Sequence, residues 1–199
     1  MDAIFDSFLS FDLGVFEWIQ SIDIAAVRLV REYISCGFLD FIMPIITLLG
    51  ESGIVPIVIS LSLICFKKTR KAGFVMALSI LLGFIVGNLT LKPLIARPRP
   101  YTVDMDVVLI IDKLKEYSFP SGHTLVTFEC AVSLVLCKYK KIGTFAVVMA
   151  FLVAFSRVYL YVHYPTDVIF GALMGSALAL ISVWAVSLLW KKWEAKKSK

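Results

Sequence analysis

Apolar runs of membrane-spanning length constrain the fold of this chain more than any other feature. Four such runs cover residues 73–91, 121–137, 142–161 and 166–190, and a shorter one covers residues 54–66. A helix needs roughly 20 apolar residues to cross a hydrocarbon core of about 30 Å. The 199-residue chain is 59% hydrophobic and only 18% charged, whereas a soluble domain is usually nearer half apolar and a quarter charged. We therefore predict an all-α fold, a polytopic membrane helix bundle.

The N-terminal third is apolar in a less regular way. Within residues 1–37, apolar side chains recur at helical spacing and charged ones occupy other faces, as in a helix at the interface or at a bundle edge. The apolar positions are Ile19, Ile22, Ala26, Leu29 and Tyr33. Residues 38–49 form a short apolar segment that contains Pro44. We expect one domain of about six membrane-associated helices, with an amphipathic region (1–37), a bundle (38–190) and a basic tail (191–199).

Basic residues separate alternate apolar runs, which sets the expected orientation in the membrane. One cluster lies within residues 67–71, a second within residues 138–141, and five lysines follow in residues 191–199. Lys and Arg accumulate on the cytoplasmic side of membrane proteins. All three clusters can lie inside together, and the connections 92–120 and 161–165 then face outward.

Other compositional signals exclude several classes of protein. The net charge of +5 arises from clusters beside apolar runs, so we expect no nucleic-acid partner. The four cysteines show no CxxC pair and no metal-ligand spacing, and we interpret them as buried apolar residues. The first 27 residues contain acids but no lysine or arginine, so we expect no cleavable signal peptide.

Small residues recur every four positions in two of the runs. Gly83 and Gly87 lie in one, and Gly171, Gly175 and Ala179 lie in another. Such spacing lets helix backbones approach closely. We predict that it serves packing within one chain rather than a dimer interface, and the oligomeric state stays open.

Three groups of polar residues lie at the expected outer edge. The first is KPLIARPRP, with Lys92, Arg97 and Arg99, the second is PSGH at residues 120–123, and the third is SRVYLYVHYPTD at residues 156–167. Ionisable groups at membrane depth are costly and are functional candidates by default.

The third group contains a histidine and an aspartate that can act together. Pro165 disfavours helix at Tyr164 and suits the first position of a new helix. His163 then lies at the junction, and Asp167 falls in the first turn of the last span. From there the carboxylate can fix the tautomer of the imidazole and stabilise its charged form.

Taken together, the polar residues of the three groups could bind a metal or an anion, and the cations among them favour an anion. His123, His163 and Asp167 are a possible ligand set for catalytic zinc. PSGH supplies free backbone N–H groups at a helix start, where Gly122 permits the close approach of an anion. A divalent cation would be repelled, and phosphate oxygens bound, by the fixed cations Lys92, Arg99 and Arg157. We therefore predict a phosphate site rather than a metal site.

Each group alone has a simpler structural explanation. Lys92, Arg97 and Arg99 can be interfacial anchors that extend to lipid headgroups. PSGH can be an ordinary helix start capped by Ser121, and the third group can hold a structural hydrogen-bonded pair. The coincidence of all three groups on one predicted face favours a functional site.

Together the three groups resemble the signature of a known family. Lys92 is followed after six residues by Arg99-Pro100, PSGH comes next, and Ser156-Arg157 precedes His163 by five residues and Asp167 by a further three. This arrangement resembles the type 2 phosphatidic acid phosphatase superfamily, whose membrane members dephosphorylate lipid phosphates and pyrophosphates. The match is complete at every signature position, and the N-terminal third lies outside it.

The resemblance implies a six-helix membrane enzyme that uses no metal and no other cofactor. It implies that His163 is the nucleophile and forms a phosphohistidine, that Asp167 orients it, and that His123 protonates the leaving oxygen and later activates water. The phosphoryl oxygens would be held by Lys92, Arg99, Ser121, Gly122 and Arg157. Arg97 lies outside the signature and its role stays open, with contact to a lipid headgroup as one alternative.

The substrate is less constrained than the chemistry. An outward-facing site in the cell membrane, in a small chain of expected bacterial origin, suits undecaprenyl pyrophosphate. Phosphatidylglycerol phosphate and phosphatidic acid stay open as alternatives. So does a non-catalytic lipid-phosphate binder or transporter, although binding alone would not require a nucleophile. The loop 101–119 contains VVLII, an apolar centre that either dips into the outer leaflet or packs on the protein.

Overall fold

The computed structural model describes the backbone of residues 2–197 and the side chains of that range except residues 2–13, 15 and 52. These residues form helices and turns, and no strand occurs among them, so the predicted all-α fold is confirmed. The α-helices are α1 (Asp2–Leu29), α2 (Gly37–Thr47), α3 (Ile54–Cys65), α4 (Arg70–Gly83), α5 (Lys92–Ile95), α6 (Pro100–Val103), α7 (Gly122–Leu136), α8 (Lys140–Tyr159) and α9 (Pro165–Lys197). Shorter helical segments extend or join them, namely the π-helical Val30–Ile34 and Phe84–Leu91 and the 3₁₀-helical Leu48–Gly53.

Three helical stretches are long and apolar enough to cross a membrane. They are Arg70–Val103, Lys140–Tyr159 and Pro165–Lys197. α2 and α3 provide a fourth candidate if they are counted as one span that bends by 48°. α7 is apolar but shorter than a full span. The apolar runs of the sequence therefore coincide with helices, as expected of a polytopic membrane bundle.

α7 is the central helix of the bundle and packs against α4, α8 and α9. Glycines permit this approach on two sides. A Cβ atom at Gly175 of α9 would lie 2.5 Å from the carbonyl oxygen of Leu125, and one at Gly83 of α4 would overlap the carboxyl group of Glu129. The predicted close packing within the chain is confirmed at these two positions, and it fixes α7 between α4 and α9.

The basic segments lie together at one end of the bundle. Tyr139 Oη donates to the carbonyl oxygen of Lys68 at 2.6 Å, which joins the turn before α4 to the turn before α8. The rings of Phe74 and Trp190 lie 6.3 Å apart, so the end of α9 lies beside the start of α4. The polar motifs lie at the other end of the bundle, beyond the C-terminal ends of α4 and α8 and at the start of α9. The fold thus separates the basic clusters from the polar motifs by the length of the bundle.

The apolar stripe of α1 faces away from the rest of the protein. Ile22, Leu29 and Tyr33 are exposed, Tyr33 by 74%, whereas Asp23 and Val27 are buried. α1 contacts α9 along its inner side. In a lipid environment apolar side chains can remain on the outside, while a carboxylate requires protein partners. α1 therefore lies at the bundle edge, one of the two expected positions, with an acidic residue turned inward.

The loop 101–119 packs on the protein through most of its apolar centre. Leu109, Ile110 and Leu114 contact the buried core that includes Tyr101. Tyr101 Oη donates to the carbonyl oxygen of Leu114 at 2.8 Å and accepts from its N–H at 3.1 Å. Val108 at the tip is 80% exposed. The structure therefore favours the packed loop over an apolar segment that dips into the leaflet.

Candidate active site

His163 and Asp167 meet at the turn between α8 and α9. Pro165 begins α9, as predicted, and leaves His163 in the turn with its N–H donating to the carbonyl oxygen of Arg157 at 3.2 Å. Nδ1 of His163 lies 3.5 Å from Oδ2 of Asp167, and both side chains are buried. The predicted pairing of the imidazole with the carboxylate is therefore present.

Asp167 is held by donors on both of its oxygens. Its Oδ1 accepts from Nη1 of Arg97 at 2.6 Å. Its Oδ2 accepts from the backbone N–H of Tyr164 at 3.0 Å and from the hydroxyl of Ser118. A carboxylate bonded in this way has little freedom to rotate, so it presents Oδ2 to the imidazole in one orientation.

Arg99 occupies the other side of the imidazole. Its Nη1 lies 3.2 Å from Nε2 of His163. The guanidinium is held by three carbonyl oxygens, those of Val162 (2.7 Å), Glu116 (2.7 Å) and Tyr117 (3.2 Å). Because guanidinium only donates hydrogen bonds, this contact assigns the proton of a neutral imidazole to Nδ1, on the Asp167 side, and leaves Nε2 unprotonated, with its lone pair accepting from Arg99.

The surroundings of His163 favour the neutral imidazole. Burial lowers its pKa well below the ordinary value, and the charges of Arg99 and Arg157 act in the same direction. The hydrogen bond to Asp167 raises the pKa but does not outweigh burial. A neutral ring whose Nε2 carries no proton is the form that can attack phosphorus.

The PSGH motif opens α7 beside this pair. The backbone N–H of Ser121 donates to the carbonyl oxygen of Asp167 at 3.2 Å. Ser121 occupies the N-cap position but makes no side-chain cap, since its hydroxyl lies 3.0 Å from that of Thr124. The simpler structural explanation of Ser121, a side-chain helix cap, is therefore wrong. Nε2 of His123 lies 3.0 Å from Oε2 of Glu51 in the 3₁₀ segment, a carboxylate that sequence reasoning did not include.

The two other predicted cations are held differently. Lys92 pairs with Glu116 of the loop, and this hydrogen bond lowers the pKa of the Glu116 carboxyl. Arg157 is 1% exposed, and its Nη1 donates to the hydroxyl of Thr47 at 2.5 Å. Its Nε and Nη2 have no partner among the described residues. A buried guanidinium with unused donors is suited to bind an anion.

One cavity of about 760 Å³ connects most of these groups. Its polar end is lined by Lys92, Arg99, Gly122, His123, Arg157 and His163, with Glu51 and Glu116 at the margin. Ser121, which was predicted to bind phosphate, and Asp167, which was predicted to orient His163, are not among the residues that line the cavity. From the polar end the cavity continues between α3, α4 and α7 along apolar side chains that include Ile57, Leu61, Leu81, Phe84 and Val126. Such a shape accommodates a polar headgroup and the start of a hydrocarbon chain.

The geometry gives little support to the metal alternative. Within the described part of the chain, no three His, Cys, Asp or Glu side chains are grouped so that they could hold a metal ion. His123 is directed to Glu51, whereas His163 is directed to Asp167. The three side chains of the alternative zinc site therefore do not converge.

The side chain of Arg97 is turned into the protein, which disfavours the open alternative of a lipid-headgroup contact. Its side chain is 5% exposed, and it bonds to Asp167 and to Asp23 of α1. Asp23 and Ser118 were also missed. For Asp23 the sequence does carry a signal, because a carboxylate flanked by Ile22 and Ile24 in an apolar helix needs an internal partner. Ser118 in the outer loop offers no comparable signal.

Comparisons with known proteins agree with this arrangement. The sequence matches the family model of the PAP2 superfamily over residues 69–191. A relative from Sulfolobus acidocaldarius named undecaprenyl-diphosphatase is 38% identical over 121 residues, which are 61% of this chain and 58% of that protein. The chain thus matches less than two thirds of that relative's length.

Two solved structures share the fold. The structure of LpxE from Aquifex aeolicus has a TM-score of 0.71 and 29% identity, and the match covers 81% of this chain and 94% of that one. The structure of a transmembrane PAP2-type phosphatidylglycerolphosphate phosphatase from Bacillus subtilis has a TM-score of 0.67 and 32% identity over 96% of this chain and 95% of that one. A family match across well over half of the sequence and a shared backbone lead to one assignment: this chain belongs to the PAP2 superfamily.

Proposed function

We propose that this protein is a metal-independent membrane lipid phosphatase that acts through a phosphohistidine on His163, with undecaprenyl pyrophosphate as the first candidate substrate. The observation that carries the proposal is a cavity lined both by His163 and Arg157 and by an apolar arm, where Nε and Nη2 of Arg157 have no partner among the described residues. A hydrolytic water site alone would not need that arm. A lipid-binding groove alone would not need a neutral nucleophile.

The proposed reaction begins with attack of Nε2 of His163 on phosphorus. The N–P bond forms as the P–O bond to the lipid, or to its inner phosphate, breaks. Asp167 accepts the Nδ1 proton in a hydrogen bond and stabilises the positive charge that develops on the ring. His123 donates a proton to the departing oxygen. A water activated by His123 then breaks the N–P bond, which releases inorganic phosphate and restores the neutral ring.

The cations supply most of the expected transition-state stabilisation. Phosphoryl transfer needs positioning and charge neutralisation more than covalent help. Arg157 would donate through Nε and Nη2, which have no other partner among the described residues. Lys92 would exchange Glu116 for a phosphoryl oxygen, and the backbone N–H of Gly122 would bind a further oxygen. Arg99 already lies beside Nε2, so it would contact the oxygen nearest the new bond.

A second candidate substrate is phosphatidylglycerol phosphate. The observation that favours it is the resemblance to the Bacillus subtilis phosphatase, which extends over 96% of this chain. The relative named undecaprenyl-diphosphatase is more similar in sequence, at 38% identity, but over a shorter segment. Both lipids place an anionic headgroup on a long apolar tail, which suits the same cavity.

Phosphate release by the purified protein tests the proposal. We expect turnover of lipid substrates in the presence of a strong chelator, and inhibition by vanadate, which mimics the five-coordinate phosphoryl group. The panel contains undecaprenyl pyrophosphate, phosphatidylglycerol phosphate and phosphatidic acid, with His163→Ala as the inactive control. Tight binding without release would favour the non-catalytic binder, and activity that requires added zinc or magnesium would contradict the mechanism.

We also propose that the site faces outward across the cell membrane of a bacterium, with the basic end in the cytoplasm. The supporting observation is that the basic clusters and the polar motifs lie at opposite ends of the bundle. Positive charge is retained on the cytoplasmic side.

Cysteine labelling in intact cells tests this orientation. In a variant whose four native cysteines are replaced, Met105→Cys reports on the outer loop and Lys140→Cys on the basic end, and both positions are exposed. An impermeant maleimide should label Met105→Cys in intact cells and Lys140→Cys only after lysis. The reverse pattern would overturn the orientation while leaving the chemistry intact.

A further inference from the structure

A buried bridge of three charged side chains connects α1 to the candidate nucleophile. It consists of Asp23, Arg97 and Asp167, which we call the Asp–Arg–Asp bridge. Nη1 of Arg97 lies 2.6 Å from Oδ1 of Asp167, and Nη2 lies 2.6 Å from Oδ2 of Asp23. The arginine side chain is 5% exposed and the carboxylates are 2% and 0% exposed. The proposed reaction uses only the last member of the bridge.

The bridge is held in one geometry by further contacts. Asp23 accepts from the backbone N–H of Thr166 at 3.1 Å and from its hydroxyl. Arg97 also donates to the Thr166 hydroxyl at 2.8 Å and to Oε1 of Gln20 at 2.6 Å. The Tyr164 ring lies under the guanidinium, 4.0 Å from its centre. Five neighbours thus fix the Arg97 guanidinium in one position beside Asp167.

The charges of the bridge act on His163 with opposite signs. Asp167 stabilises the protonated imidazole, and Arg97 opposes this effect because it neutralises part of the carboxylate charge. Asp23 in turn neutralises part of the charge on Arg97. These interactions take place in a buried site, where Coulomb energies exceed their values in water. The charges of Asp23 and Arg97 therefore affect the protonation of the His163 imidazole through the carboxylate of Asp167.

We propose that Asp23 and Arg97 are positioning residues that hold Asp167 in place and balance its charge, and so tune His163 as the nucleophile. The inference rests on the proposed function, in which His163 attacks phosphorus. It assigns to α1, which lies outside the signature motifs, a direct part in setting the chemistry of the site.

The other groups that face His163 are the same in every variant proposed below. Arg99 lies against Nε2, Ser118 lies 3.4 Å from Nδ1, and Arg157 contributes its charge from α8. The ionisation of the substrate is also common to all variants. Differences between their pH profiles therefore report on the bridge.

The pH dependence of kcat/KM tests the proposal. On its acidic limb, protonation of the His163 imidazole removes the nucleophile. Arg97→Gln removes the charge that opposes imidazole protonation, so the limb should move to higher pH by about one unit. Asp23→Asn removes the charge that offsets Arg97, so the limb should move to lower pH. The double variant should return toward the wild-type profile. Arg28→Gln, which breaks the exposed pair between α1 and Asp104, is the matched control and should not shift the limb.

Opposite shifts distinguish the proposal from a structural role, since loosening of α1 would lower activity without a signed change in pH dependence. Shifts of the same sign, or none, in Asp23→Asn and Arg97→Gln would overturn it. If Arg97→Gln does not fold, Asp23→Asn alone decides by the direction of its shift, and Arg97→Lys should retain the wild-type limb. A wild-type protein that releases no phosphate, or a fully active His163→Ala, would instead refute the proposed function.

Discussion

Replacement of His163 by alanine is expected to abolish phosphate release from every substrate, whatever its leaving group. In the proposed mechanism the unprotonated Nε2 beside Arg99 attacks phosphorus, because Nδ1 of the same ring is directed to Asp167. Without a nucleophile no phosphoenzyme forms, and loss of a nucleophile costs on the order of 10⁴-fold or more in turnover. Release from a lipid phosphate and from an activated aryl phosphate measures the effect.

His163→Gln serves as the matched variant in that experiment. It keeps a polar side chain of similar reach beside Asp167, so the fold should persist while the nucleophile is absent. Both variants should elute as the wild type in detergent and retain its thermal unfolding midpoint. A folded His163→Gln protein that turns over the aryl ester at the wild-type rate would show that another group attacks phosphorus.

Replacement of His123 by alanine is expected to have an effect that depends on the leaving group. A general acid contributes about 10²–10⁴-fold where the departing oxygen needs a proton, and much less where it leaves as a stable anion. His123→Ala should therefore fail on a lipid monophosphate. With an activated aryl phosphate it should still form the phosphoenzyme, and then release phosphate slowly because water is no longer activated.

Rapid-quench kinetics separate these two steps. The His123 variant should give a burst of aryl product equal to the enzyme concentration, followed by a slow phase. Glu51→Gln is informative beside it, because Glu51 contacts Nε2 of His123 at the margin of the cavity. That variant should show an altered pH dependence and a smaller loss. Equal losses in both steps and on both substrates for His123→Ala would mean that His123 has no acid–base role.

The helical fold and the motifs that surround the cavity were predictable because both rest on local patterns. Apolar runs of spanning length determine helices, and Pro165 determines where α9 begins. One cavity is lined by residues from the three motifs, which were expected on one face of the membrane: Lys92, Arg99, Gly122, His123, Arg157 and His163. Their roles stay predictions until activity is measured.

The environment of Arg97 could not be predicted, because it depends on contacts between distant parts of the chain. Arg97 and Arg99 belong to the same RPRP stretch, and only the backbone decides which of them faces the cavity. Ala96 adopts a positive φ of 49°, which reverses the chain after α5 and sends Arg97 toward α1. Its partner Asp23 lies 74 positions away in sequence. No periodic pattern connects such positions.

The Ser121 hydroxyl illustrates a second limit. Serine before a helix usually caps the backbone, and the resemblance to the family implied instead that Ser121 binds phosphate. In the structure the hydroxyl contacts Thr124, while the backbone of Ser121 bonds to Asp167. The motif therefore joins the start of α7 to the start of α9 through the main chain, which places His123 and His163 on one cavity.

The site of covalent phosphate is the measurement that tests the central claim most directly. The protein is mixed with an activated aryl phosphate labelled in the transferred phosphate, quenched in alkali, where phosphohistidine survives, and digested for mass spectrometry. The mechanism predicts one labelled peptide, with phosphate on His163, which is absent from His163→Gln and accumulates in His123→Ala. Phosphate on His123 or on Ser121, or turnover with no phosphoenzyme in any variant, would contradict it.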